Sequence, residues 1–437
     1  MAINNQTKVN LYTNILALLA NVLVGIYYTP YLLNTLGLIA YGILPLALII
    51  NQYISVVTQT LTHAYTRFYS VSLQKEDYQG ATKNISTSFV VTILICLCII
   101  PVGMFIVDNV NKVFNIPDYL LSAAKLLFLY TILSFICSLF SSLFNVTLYA
   151  INKLDLLNVI KIVRSILKLT LVILLFNVVR IDVALVGFAN FISELVILVF
   201  SIYLFYKFKP KKVRISVTLF DKTVLYAILG MSVWVLIQVL GDTLIYRTDN
   251  LILNVFWDVE ASGALGAISE IGSYVTVVVS VVGSLFGPLI LIAYSKNNHD
   301  EVKSLLVNQS TIVGSLSAII CGIISGFAEV TLNIWLGNNM GVYSNWLLLK
   351  MLVLPYFAAG GIMAFVYRAW NQVKFPAIGT IIIGLINILI LILICKLVKP
   401  SDPVIVLVVG AIFSFLRHYR EQDKHSIGIE NRNRIEL

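Results

Sequence analysis

Lys161, Arg164 and Lys168 recur at i, i+3 and i+7 inside a stretch that is otherwise apolar. On an α-helix this spacing gathers three cations within about 60° of one face, with Asn158 on the same edge. A cation in hydrocarbon costs roughly 2.5–3.5 kcal/mol on insertion scales, so the stripe must face water, protein or an anion. Lys161 can snorkel to the interface. Lys168 lies roughly 18 Å in at 1.5 Å per residue, where snorkelling is hard. The chemistry open to such a wall is neutralisation of phosphate or acidic sugar; the alternative is internal ion pairing. Glu194, in the next and antiparallel segment, reaches a similar depth, with Asn190 and Ser201 on its face. A Lys168–Glu194 pair would be a clasp or a protonation switch.

The second half holds a separate set. Asp242, Arg247 and Asp249 fall at the outer end of the seventh apolar segment and Glu270 just inside the eighth. Arg247 joins the three cations as a candidate substrate-binding residue. Glu194, Asp242, Asp249 and Glu270 are candidates for coupling or ion pairing, and a solvated interfacial cluster around Arg247 is the competing reading. Lys350 and Arg368 lie close enough to segment ends to be interfacial. Asn21 is expected to hydrogen-bond between helices. No G-x-x-x-x-G-K-[ST] or H-E-x-x-H occurs, and no Ser, His and Asp can be argued together, so neither ATP hydrolysis, nor a cofactor, nor a catalytic metal is expected. The chain reads as a non-enzyme.

The elements that must position these residues are long and apolar. Of 437 residues, 59% are hydrophobic and 12% charged. A soluble domain carries about 25% charged residues, so too little polar surface is present to wrap a soluble core. Twelve apolar segments can be placed: 11–33, 43–64, 89–107, 120–150, 156–179 and 183–205, then 224–246, 268–293, 305–327, 346–366, 377–397 and 404–416. They are continuously apolar rather than alternating, which favours helices over barrel strands. The last, with 13 residues, is short for a span of about 20. All five cysteines sit inside apolar runs, as small hydrophobes.

Twenty Lys and Arg lie outside the segments on the N-terminal side, against four on the other, Lys112, Arg180, Arg247 and Lys399. This bias predicts cytoplasmic termini and an even number of spans. The net charge of +9 is spread among these connections, which argues against nucleic acid as a partner. The longest basic connection, Lys207 to Lys222 with Pro210, divides the spans six and six. It predicts one lobe over 1–210 and another over 211–437, the latter with a short last span and a polar cytoplasmic tail from about 417. Leu36-Gly37 with Tyr41-Gly42 resembles Leu265-Gly266 with Ile271-Gly272, a weak repeat of one half in the other.

The pattern TPYLLNTLGLIAYGIL followed by THAYTRFYS, and later RTDNLILNVFWDVEASGALGAISEIGSYV, resembles the polysaccharide-transporter branch of the multidrug, oligosaccharidyl-lipid and polysaccharide exporter superfamily, and within it the Wzx-type flippases. The likeness runs to about Leu397. It implies an all-α polytopic membrane protein with about twelve transmembrane helices, in two pseudo-symmetric six-helix lobes around a central cavity. It further implies a flippase that moves a polyprenyl-pyrophosphate-linked oligosaccharide across a bacterial cytoplasmic membrane by alternating access, for O-antigen or capsule. Its partners would be the lipid-linked oligosaccharide, membrane lipids and a polysaccharide polymerase. A cation-coupled multidrug exporter of the same superfamily is the main rival. Its better-known members carry an acidic residue in the first span, where 11–33 has only Asn14 and Asn21. A membrane polymerase or ligase would be expected to have a large external loop, and every connection on that side is short.

Overall fold

The computed structural model describes residues 5–284, 290, 298–337, 339–363, 374–398, 400 and 402–416. The described residues are helical, with no strand. The chain divides into two compact units, Met1–Leu236 and Ile237–Leu437.

The first unit carries α1 (Asn5–Leu36), α2 (Ile43–Gln74), α3 (Tyr78–Asp108), α4 (Leu121–Ala150), α5 (Leu154–Val178) and α6 (Val183–Phe208). The polar residues between apolar runs start and stop them. Asp77 caps α3 by accepting from Gly80 N at 2.8 Å, and Asp182 caps α6 by accepting from Ala184 N at 2.9 Å. Gly37 at φ 78° separates α1 from the single turn Leu38–Tyr41. Asn152 at φ 58° makes the tight reversal from α4 to α5. The α4–α6 pair packs most extensively. A Cβ at Gly187 would stand 3.1 Å from Leu127 Cα, so glycine lets α4 and α6 approach more closely than a side chain would without a small shift. Tyr69, Ile85, Leu143 and Phe205 close the core of α2, α3, α4 and α6.

α7 (Lys222–Tyr246) leads into the second unit, which continues with α8 (Thr248–Phe256), α9 (Val259–Ser284), α10 (His299–Gly326), α11 (Ala328–Leu336), α12 (Ser344–Gly361), α13 (Lys374–Leu397) and α14 (Val404–Leu416). α10 packs mainly on α12, and α9 on both. Gly241 brings α7 against α13.

Eight helices among the described residues are long and apolar enough to cross a membrane, and Leu38–Leu48, Leu236–Tyr246 and Val404–Leu416 are shorter apolar helices. The 25-residue α5 is long enough but is not among the eight, because its cations break the apolar window.

Some boundaries differ from the hydropathy reading. α3 begins at Tyr78 rather than at 89, because the polar residues Asn84, Ser86, Thr87 and Ser88 are buried. They receive the basic connection. Arg214 N donates to Thr82 Oγ1 at 3.4 Å, Ser216 N to Ser86 Oγ at 3.1 Å and Asp221 N to Thr87 Oγ1 at 3.0 Å, while Lys83 pairs with Asp221 at 3.3 Å. The connection after α6 is therefore bolted to α3. The seventh segment ends at Tyr246 as read, and beyond Arg247 a short further helix, α8, follows that the hydropathy reading did not include. Arg368 and the tail from 417 lie outside the described residues.

Candidate substrate-binding sites

α5 reaches its place through a polar ladder to α1, and the two helices run parallel. Gln6 Nε2 donates to Asp155 Oδ1 at 2.9 Å. Asn10 Oδ1 accepts from Asp155 N at 3.0 Å and Asn10 Nδ2 donates to Asn152 O at 3.0 Å. Asn158 Nδ2 donates to Thr13 Oγ1 at 3.2 Å, Ser165 Oγ donates to Asn21 Oδ1, and Lys168 Nζ stands 4.9 Å over the Tyr28 ring. The α1 positions step by three, four or their sums, one stripe of a helix. Asn21 is thus an interhelical contact, as expected. Such bonds average about 0.6 kcal/mol in membranes, so the ladder orients α5 more than it stabilises it.

With that face fixed, Arg164 and Lys161 turn toward α2 and α4. Arg164 Nε forms an ion pair with Glu194 Oε1 at 3.0 Å, the side chains 34% and 10% exposed. The contact is not a well-aimed hydrogen bond, and Glu194 Oε2 has no hydrogen-bond partner. Lys168 adds a favourable charge at Glu194. The expected Lys168–Glu194 clasp is therefore corrected in its first partner: Arg164, one turn earlier on α5, makes the direct contact. A residue count fixes depth only to about one 5.4 Å turn, the spacing that separates the two.

Lys161 and Arg164 line a cavity of about 150 Å³ with Thr62, Ser138, Ser142, Asn145, Tyr149, Leu157 and Ile160. Lys161 Nζ donates to Asn158 Oδ1 at 3.4 Å. Asn145 is 8% exposed and its Oδ1 is buried without a partner. The cavity thus offers two cations, hydroxyls and a vacant acceptor, a set suited to an anion that also carries hydroxyl groups. Lys161, Arg164 and Lys168 against Glu194 leave a formal charge of +2, three minus one.

The second unit carries the opposite balance. Asp249, 3% exposed, holds Lys350 Nζ at 2.6 Å from its Oδ2. Lys350, read from sequence as interfacial, is a buried-pair partner with its side chain 24% exposed. Glu270 acts electrostatically on Arg247, which occupies the α7–α8 break. Asp242 lies one turn before the break, partly buried. The solvated-cluster reading fails for Asp249, which α8 carries into the interior. Arg247 and Lys350 against Asp242, Asp249 and Glu270 give −1, two minus three. The four candidate cations thus fall in different units: three on α5, and Arg247 in the second. Asn145 and Lys350 were missed as site residues; an amide or lysine inside an apolar run was the available signal.

An all-helical chain with eight helices among the described residues long and apolar enough to cross a membrane defines a multi-pass membrane protein. The family described as "Polysaccharide biosynthesis protein" matches residues 9–291, and the chain belongs to that family. It is similar to the uncharacterized membrane protein EpsK of Bacillus subtilis (strain 168), 25% identical over 397 residues that cover 87% of this chain and 75% of that one. Among solved structures it is similar to a multidrug-resistance MATE family transporter of the MOP superfamily in its inward-facing conformation, with TM-score 0.77 and 13% identity, covering 96% of this chain and 98% of that one. It is also similar to a MOP superfamily transporter from Pyrococcus furiosus described as having a binding pocket of reversed polarity, with TM-score 0.68, 13% identity and 97% of each chain covered. At this identity the structures share the fold.

Proposed function

We propose that the protein is a flippase that moves a polyprenyl-pyrophosphate-linked oligosaccharide from the inner to the outer leaflet of a bacterial cytoplasmic membrane, by alternating access, for O-antigen or capsule. The observation that carries this reading is the cavity of Lys161, Arg164 and Asn145. Its cations suit the pyrophosphate, and its hydroxyls and free acceptor suit sugar hydroxyls. Membership in a polysaccharide-biosynthesis family supports it. The Lys and Arg count supports cytoplasmic termini, and a polymerase that consumes the delivered unit is the expected partner. A cation-coupled multidrug exporter is disfavoured, because a basic wall repels cationic drugs and α1 has no acidic residue.

Arg164 and Lys161 are assigned the headgroup, Lys168 and Arg247 further charge along the path, and Glu194, Asp242, Asp249 and Glu270 the ion pairs that reset between states. The test is transfer of a fluorescent lipid-linked repeat unit in proteoliposomes. Lys161→Gln with Arg164→Gln, still inserted and monodisperse, is expected to abolish transfer; unchanged transfer refutes the headgroup site.

A further inference from the structure

The connection from α6 to α7 carries charge that neither candidate site uses. Residues 207–214 read KFKPKKVR, five cations in eight positions at the end of a helix long and apolar enough to cross a membrane. Sidedness alone asks only that such charge stay on one face of the bilayer. Here it is also held in shape. Lys209 Nζ donates to Val213 O at 2.6 Å and closes the turn at Pro210, and Val213 is fully buried. From Arg214 onward the backbone hangs on Thr82, Ser86 and Thr87 of α3. A solvated basic loop would keep the conformational entropy that this one gives up.

The cations converge rather than spread. Lys153, from the α4–α5 reversal, and Lys207 both stand over the Phe208 ring, 4.6 and 5.6 Å from its centroid, and Lys212 stands 5.1 Å from that of Tyr78. Lys207, Lys211, Lys212 and Arg214 are exposed, and neither they nor Lys153 form an ion pair among the described residues. The one acid of the connection, Asp221, is taken by Lys83. Ring faces offset only part of the repulsion between gathered ammonium groups, so the surface is complementary to an anion.

Its neighbours select among anions. Tyr203 and Tyr206 are exposed in the last two turns of α6, the pattern of an aromatic belt at headgroup depth. Val217 and Leu219 are exposed on the same connection, in its single turn Val217–Leu219. A nucleic acid or an acidic peptide offers charge without hydrocarbon, whereas a phospholipid offers both. We infer that Lys153, Lys207, Lys211, Lys212 and Arg214 bind the phosphodiester headgroups of anionic phospholipids in the adjoining leaflet, with Val217 and Leu219 against their chains. This surface is separate from the α5 cavity and does not depend on the cargo proposed above.

The test is amine acylation of the full chain in nanodiscs, read by mass spectrometry at each lysine. With phosphatidylglycerol in place of phosphatidylcholine, Lys207, Lys211 and Lys212 should lose most of their reactivity relative to Lys112 and Lys303, exposed lysines of other connections. Raising salt from about 0.1 to about 1 M shortens the Debye length from about 10 to about 3 Å and should restore it. In detergent, Lys207→Gln with Lys211→Gln and Lys212→Gln should weaken phosphatidylglycerol binding roughly a hundredfold, the worth of three juxtamembrane cations. Lys112→Gln with Lys303→Gln should leave it unchanged, and thermal unfolding reports that each variant is folded. Equal protection by phosphatidylcholine, equal slowing at Lys112 and Lys303, or parental binding by the folded triple variant overturns the inference. So does protection by poly-glutamate or by a polyprenyl pyrophosphate with none from phosphatidylglycerol, which would assign the surface to a protein or to the cargo.

Discussion

Asp249 on α8 and Lys350 on α12 form a 2.6 Å ion pair across 101 residues of sequence, with one carboxylate oxygen left without a partner. Removing one member of a buried pair leaves the other charge uncompensated, at a cost of about 3–5 kcal/mol. Lys350→Ala and Asp249→Ala should each lower thermal stability, with the double variant recovering part of the loss. Single variants as stable as the parent would show that solvent already screens the pair.

Glu194, paired with Arg164 at 3.0 Å, would compete with the phosphate of the proposed cargo for that guanidinium. Glu194→Gln frees the guanidinium and should tighten binding of a polyprenyl pyrophosphate, whereas Arg164→Gln should weaken it about tenfold or more, given about 1.5–3 kcal/mol for a charged hydrogen bond. Microscale thermophoresis at fixed salt reads both. Opposite signs are the diagnostic result; weakening in both would mark the pair as a structural clasp.

Gly241 lies where α7 meets α13, and a Cβ there would stand 2.7 Å from Ile381 N and Thr380 C. Backbone cannot turn aside as a side chain does. Gly241→Ala should therefore push the helices apart and destabilise by about 1–3 kcal/mol, the usual range for overpacking. Gly322→Ala on α10, with open space at its Cβ, should instead stabilise by about 0.5–1 kcal/mol in the same unfolding assay, since glycine weakens a helix interior.

Asp221 holds the basic connection in place. Its carboxylate accepts from Thr223 N at 2.8 Å and pairs with Lys83, and these hold it below the usual carboxylate range. A folded pKa below the unfolded one stabilises above the ordinary Asp value of about 3.9, and that contribution is lost as pH falls through the folded value. The stability difference between parent and Asp221→Asn should be present at neutral pH and vanish in acid. A difference independent of pH would assign the effect to packing.

The helices and the α5 cations were legible because hydrocarbon punishes charge, so any deep Lys or Arg declares itself. Which carboxylate met which cation was not legible: Arg164 and Lys168 differ by one turn, and Lys350 finds Asp249 only through the α7–α8 break at Arg247, which hydropathy does not register. Asn145 stood out only as an amide inside an apolar run, and that signal gains meaning only when α2 and α5 leave its oxygen facing a cavity. The glycine repeat misled in detail. Gly37 has positive φ at a helix junction, whereas Gly266 and Gly272 lie inside α9. At Gly37 the missing Cβ serves a bend, whereas a Cβ at Gly272 would meet Leu354 at an ordinary 3.4 Å.

The surplus of positive charge on α5 bears on energy supply. A bacterial membrane is negative inside, and each elementary negative charge carried outward gains about 2.3 kcal/mol per 100 mV. For the anionic cargo proposed above, fixed cations that shield it while it loads, and stay behind when it departs, would let the membrane voltage contribute to its outward transfer.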